Sequence, residues 1–352
     1  ADYRYKLQRS PEAAKTYRKD ILKQYVNYVT EENDFPIRNF INRTSPETRT
    51  IGYNKAMMVY HMIEEEIGTE PFFEAWKLVN TKHQEQKISW EEWLGAFEET
   101  SGKDLSHIIP QWIEQDGAPI LDLKINDASD DFIDFTLLEK SGQKYRLEVP
   151  IHFDSGFDTT VILSSPSSTF SMKLAQKANS IFVDPDLHLF RRLYPVEIEP
   201  ILSAALGNKN KLFFTDDDPT YFKTFGNNVT ESEVTIFTTE NISTQNKTSL
   251  PIILNLKELP AFLTERIQVN DETITIGGKE YPKSGHTFIL TGKNWNGFKN
   301  MLAIISNDLE SLPRIGQLVP HYGKYSFLVF KGAKNVGKGQ WAVKDSPLKK
   351  VF

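Results

Sequence analysis

Tyr53 is the side chain of this sequence best placed to meet a ligand. It stands in TIGYNKAMMVYHMIEEEIG, residues 50–68. There Val59, Ile63 and Ile67, flanked by Met58 and Met62, recur with the period of one helix face. A helix fixed in a core from Val59 onward leaves a tyrosine at its first turn able to face a cleft. A core tyrosine beside a helix start is the plainer reading of the same pattern. Gly52 allows a close backbone approach, and Gly68 sits where a left-handed residue ends a helix. The seven histidines are His61, His83, His107, His152, His188, His286 and His321. None is followed by Glu and no two are four residues apart, so the helical H-E-x-x-H zinc motif is absent. His61-Met62-Ile63-Glu64 comes nearest, on a largely apolar face that suits a partly buried or surface histidine better than a ligand. No metal ligand is assigned in this chain, and no substrate-binding residue either.

Three other clusters have chemical potential. Arg191-Arg192 could bind a substrate carboxylate, although an interdomain salt bridge is the commoner fate of such a pair. Asp216-Asp217-Asp218 follows a strand pattern and could hold Mg²⁺ through oxygen; a strand-to-helix loop with one capping Asp accounts for it more simply. His321 and Ser326, in HYGKYS, suggest a base and a nucleophile, but no G-x-S-x-G turn is present, and a packing or interface role suits the neighbouring tyrosines better. Gly277-Gly278, Gly337 and Gly339 are of turn type, and no phosphate loop or dinucleotide fingerprint follows any strand.

The chain that must position these residues has 352 of them, long for one core, so two or three domains are expected. A net charge of −6 disfavours a nucleic-acid surface. With no cysteine there is no disulfide, thiolate ligand or cysteine nucleophile. No apolar run of 18 residues offers a membrane span. The start, ADYRYKLQRS, has neither a signal-peptide core nor an initiator Met, as a truncated chain would. Asn42, Asn228, Asn241 and Asn246 fit the glycosylation pattern, as chance alone allows in a Thr-rich chain.

Ser10-Pro11-Glu12 starts a helix expected to run to about Val29. Helices are also expected from the Tyr53 stretch to Gly68, from Pro71 to about Thr81, from the capping box Ser89–Glu92 to Gly102, and from Asp104 or Ser106 towards Glu114. At Pro119 the period changes to alternation in ILDLKI, FIDFTLL, YRLEVPIHF, TTVILSS and TFSMKLA, which argues a small sandwich. After Gly207, strands in KLFFT, EVTIFTT, LPIILNL and HTFILTG alternate with helices expected at Asp218–Phe225, Pro260–Val269 and Trp295–Asn307. With an inserted hairpin over Thr273–Gly285 and a last strand in HYGKYSFLVFKG, this suggests a mostly parallel α/β sheet. The expected fold is multidomain α+β: a helical region 1–117, a β-sandwich 118–198 and an α/β domain of unknown role, 199–352.

Gly52-Tyr53-Asn54-Lys55-Ala56 followed by a Met-rich helix ending in Ile67-Gly68 resembles the gluzincin zinc aminopeptidases, the membrane alanyl aminopeptidase family of metallopeptidases. Their pattern there is Tyr-x-Lys-Gly, with Ala56 in place of the glycine. Phe72-Phe73, Trp90, Trp93, Phe97, Ser101-Gly102, Trp112 and Gly117-Ala118-Pro119 follow in the family's order, and the resemblance covers about residues 1–195. It implies that 1–117 is the rear of a peptidase catalytic domain and that Tyr53 is the catalytic tyrosine stabilising the tetrahedral intermediate of peptide hydrolysis. Zinc and its ligands would belong to the full-length protein, upstream; this chain would be a carboxy-terminal fragment, inactive alone and without zinc. Its implied partners are a peptide substrate and the missing amino-terminal part on which it docks, with export to the periplasm or envelope as the family habit. A non-catalytic binding or interaction module of a peptidase-like protein is the alternative, and an α/β domain with its own small-molecule pocket a third.

Overall fold

A hydroxyl followed by proline starts two helices in the computed structural model, which describes residues 2–82, 87–343 and 345–352. After α1 (Asp2–Arg9), Ser10 Oγ accepts from the Ala13 N–H at 3.0 Å and opens α2 (Pro11–Tyr28). Ser45 and Thr48 form a reciprocal capping box that opens α3 (Pro46–Arg49). This helix continues through a π-helical turn, Thr50–Lys55, into α4 (Ala56–Ile67). Tyr53 therefore lies inside a helix begun at Pro46, not at the first turn of one. Gly68, at φ 91°, ends α4. α5 (Thr69–Lys82) follows, then α6 (Trp90–Ser101), opened by the Ser89–Glu92 box and closed by left-handed Gly102. The helix expected towards Glu114 is reduced to a π turn, Ile109–Ile113, where Pro110 supplies no N–H to the ladder.

Six strands come next: β1 (Leu121–Ala128), β2 (Phe132–Glu139), β3 (Leu147–Phe153), β4 (Asp158–Leu163), β5 (Ser167–Lys173) and β6 (Ser180–Val183). They form two antiparallel sheets, ordered β1-β2-β5 and β4-β3-β6; a last strand, Lys349–Val351, pairs with β6. Leu147, Val149, Ile151 and Phe153 alternate inward along β3 as its sequence predicts. The inward faces of both sheets and the helices share one continuous apolar core, running from Leu22 and Val59 through Trp112 to Leu137, Val149 and Phe190. The division expected at 117/118 falls inside that core.

The chain separates into two compact units, Ala1–Ile198 with Asp345–Phe352, and Glu199–Lys344. In the second unit α7 (Leu202–Leu206), β7 (Lys211–Phe214), α8 (Thr220–Thr230), β8 (Ile236–Phe237), β9 (Leu250–Leu254) and α9 (Ala261–Thr264) precede a small sheet of β10 (Ile267–Val269), β11 (Thr273–Ile276) and β12 (Lys279–Pro282). Then come β13 (His286–Trp295), β14 (Phe298–Ser306), α10 (Leu312–Leu318), β15 (Phe327–Lys331) and β16 (Lys334–Gly339). The main sheet has the order β16-β15-β13-β14-β9-β7-β8 and is buried on both faces. Phe213, Ile252, Ile304 and Leu328 pack under Phe222, Phe225, Leu312 and Ile315, while Phe214, Ile253, Phe288 and Val329 pack on the small sheet's Ile274 and Ile276.

Three expectations for this unit are corrected. Its sheet is mixed: β8, β7, β9 and β14 are parallel, but β14, β13, β15 and β16 are antiparallel. The helix expected at Trp295–Asn307 is instead a hairpin turn into β14, in which Trp295 pairs with Phe298 across Asn296-Gly297, both at positive φ. Asn-Gly between apolar runs is the sequence of that turn, and the run MLAII suits a buried strand as well as a helix. At Pro260–Val269 a single helical turn gives way to β10. The tail is also distinct from the 199–352 domain that was expected, since residues 345–352 join the first unit.

Candidate functional site

Tyr53 is 56% exposed on a helix whose adjoining residues are buried. A π turn widens the helix by one residue and so re-aims a side chain; here Ile51, Asn54 and Lys55 point inward while the tyrosine remains outside. Its ring meets Phe40 edge-on, with centroids 5.6 Å apart. The Phe40 ring lies over Gly52, where a Cβ would clash with it. Gly52 thus makes room for the ring that supports Tyr53.

Lys55 fixes this turn from inside. Its Nζ donates to Gln115 O at 3.2 Å and Gly117 O at 3.0 Å, and burial pushes its pKa down to about 8, against the pull of Asp34 and Asp116. Asp34 Oδ2 accepts from the Gly117 N–H at 2.9 Å and the Tyr25 hydroxyl at 2.5 Å. Asn54 Nδ2 donates to Gln24 Oε1 at 3.0 Å, so α2 and the 115–117 loop hold the turn between them. Of the aromatic residues that follow Tyr53 in the resemblance, Trp93 meets Trp76 at 4.2 Å, Trp90 stacks on Tyr60 at 5.5 Å and Trp112 is buried, so these three are packing groups.

The histidines do more than their spacing suggests. His61 is buried, its Nδ1 lies 3.1 Å from the Tyr3 hydroxyl and its Nε2 lies 3.1 Å from Nδ1 of His188. Glu65, one turn along α4, approaches His188 Nδ1 at 3.4 Å. Burial lowers the pKa of His61 to about 3, which leaves the ring neutral. His188 and Glu65 border a cavity of ≈290 Å³, whose wall also carries Glu66, His107 and Arg146. Glu66 accepts from Arg146 Nη1 at 3.1 Å and sits 3.3 Å from His107 Nε2. Sequence reasoning missed this assembly because His188 arrives from 127 residues away; the signal available was His61 and Glu65 at helical i and i+4, where only Glu64 was weighed. His83 lies outside the described residues.

The remaining candidates are engaged structurally. Arg191 is buried, with Nε donating to Asp184 at 3.0 Å and both Nη groups to Glu197 at 2.9 and 3.0 Å. Arg192 lies over the Tyr25 ring at 4.9 Å. Asp216 accepts from Thr239, Asp217 from Asn255 and Asp218 from the Thr220 N–H, so all three carboxylates serve protein donors. Ser326 is completely buried beside β13, and its Oγ has no partner among the described residues. A nucleophile there would be sealed from substrate.

No protein-family model matches the chain. Over 189 residues, 52% of the chain, it is 24% identical to "Probable aminopeptidase 2" of Sulfurisphaera tokodaii, and over 77 residues, 22% of the chain, 32% identical to "Aminopeptidase N" of Lactococcus lactis subsp. lactis. The chain spans 24% of the first relative's length and 9% of the second's. A crystal structure of Legionella pneumophila aminopeptidase A in complex with aspartic acid matches at TM-score 0.39 and 16% identity, covering 56% of this chain and 24% of that one, too loose a likeness to carry an argument. The sequence similarities support a peptidase family and a peptidase-related function.

Proposed function

We propose that the first unit is part of a gluzincin-type zinc aminopeptidase, which hydrolyses amino-terminal residues from peptides, and that Tyr53 stabilises its transition state. The observation that carries this is the exposure of Tyr53 on a π turn clamped from within by Lys55 and Asn54. A phenol held this way can donate a hydrogen bond to an oxyanion without first paying to order its own backbone. In this reading the zinc ligands and the glutamate base that activates water come from residues outside this chain, since no H-E-x-x-H occurs in it. Lys55 and Asp34 are positioning residues that hold the turn and the 115–117 loop together.

Tyr53→Phe in the full-length protein tests the assignment. Loss of one oxyanion donor lowers turnover by about 10²–10³, with metal content and melting temperature unchanged. Wild-type turnover in that variant would return Tyr53 to the role of a supported surface aromatic.

The second unit favours a non-catalytic reading. Its acidic triplet is consumed by protein donors and Ser326 is sealed in the core. We assign it a binding or interaction role; deletion of 199–344 with turnover on a dipeptide amide intact would agree, and loss of chemistry with normal folding would not.

A further inference from the structure

We propose that His61, Glu65 and His188 form a site for one divalent transition-metal ion of the zinc class. Two imidazoles and a carboxylate are the donors such ions select. One donor atom from each residue lies within 4.8 Å of the others. An ion bound tetrahedrally at 2.0–2.1 Å holds its ligand atoms about 3.3 Å apart. The two measured edges, His61 Nε2 to His188 Nδ1 at 3.1 Å and His188 Nδ1 to Glu65 Oε2 at 3.4 Å, bracket that value.

The donors are also held in place from behind, as metal ligands usually are. The buried Arg18 guanidinium donates to the Tyr3 hydroxyl at 2.7 Å, which meets the far nitrogen of His61. The same guanidinium donates to Asp186 O at 2.8 Å and Leu187 O at 3.1 Å, the two residues before His188. One arginine therefore orients both histidines. Asp184 Oδ1 accepts from the His188 N–H at 2.7 Å, and Asp184 is itself locked to Arg191. In the metal-bound form the His61 Nδ1–H donates to Tyr3 Oη, which leaves Nε2 and His188 Nδ1 each with a lone pair for the cation. His188 and Glu65 face the ≈290 Å³ cavity, so the ion has an entry path and a fourth position open to water or an exchangeable ligand.

The test uses the untagged 352-residue chain, stripped with a chelator and titrated with Zn²⁺ by calorimetry, with Co²⁺ visible spectra as a second readout of coordination. One equivalent is expected to bind saturably and to raise the melting temperature. His188→Ala and Glu65→Gln, both at partly exposed positions, should bind at least about tenfold more weakly, and Tyr3→Phe about 10–100-fold more weakly through loss of the supporting hydroxyl. Melting of the metal-free variants separates folding from binding. The proposal is overturned if the wild-type chain shows no saturable equivalent, or if folded His188→Ala and Glu65→Gln bind Zn²⁺ as the wild type does.

Discussion

Arg191→Met should destabilise the first unit severely and in a manner that acid relieves. The guanidinium makes three charge-assisted hydrogen bonds to Asp184 and Glu197, and all three residues are buried. Burial raises the Asp184 pKa above the ordinary carboxylate range, with Arg191 as the main force pulling it back. Methionine fills much of the volume but leaves two carboxylates without their shared cation. Each retains neutral donors, the His188 and Leu189 N–H groups for Asp184 and the Tyr194 N–H and Ser346 hydroxyl for Glu197. Breaking a buried pair by removing one partner costs about 3–5 kcal/mol. Without the arginine the folded-state pKa of Asp184 rises further, so the folded variant binds a proton that the unfolded chain does not, and falling pH favours folding relative to wild type. Urea unfolding at pH 8 and pH 5 measures both quantities. A loss below about 1 kcal/mol at pH 8, or one equal at the two pH values, would mean that the arginine does not hold these two buried carboxylates; weakened peptide binding at undiminished stability would restore Arg191 as a substrate clamp.

Three further outcomes are expected. Lys55 has a folded pKa of about 8 against 10.5, so the folded chain releases this proton first and stability rises between those pH values, by up to about 3 kcal/mol; the rise should vanish in Lys55→Met when denaturation is compared at pH 8 and pH 10. Gly52→Ala should force the Phe40 ring from its seat, costing about 1–3 kcal/mol of packing against roughly 1 kcal/mol gained in helix propensity, and should lower full-length turnover through Tyr53. Ser326→Ala should be neutral or up to about 1 kcal/mol stabilising, because the lost hydroxyl is buried and unpartnered among the described residues; thermal unfolding decides it.

Local chemistry was readable wherever a few adjacent residues decide the outcome. Ser10-Pro11 and Ser89–Glu92 mark helix starts that the structure shows, and Gly68 and Gly102 mark stops. Ser45-Pro46 carries the same signal, and the helix it opens puts Tyr53 beyond a first turn. Asn296-Gly297 was likewise a turn in plain view, while the apolar run behind it fits either period and is settled by pairing with β9 and β13.

Residues adjacent in the chain set the alternation of β1 to β5, the caps of the helices and the candidacy of Tyr53, because each depends on neighbours within about one turn or one strand. Tertiary structure alone decided that Lys55 is a buried clamp, that Arg191 is locked to two carboxylates, that Ser326 is sealed, and that His188 meets His61 and Glu65. Those outcomes depend on which distant groups share a desolvated space. An unpaired buried charge is so costly that the fold, not the residue type, dictates each partner.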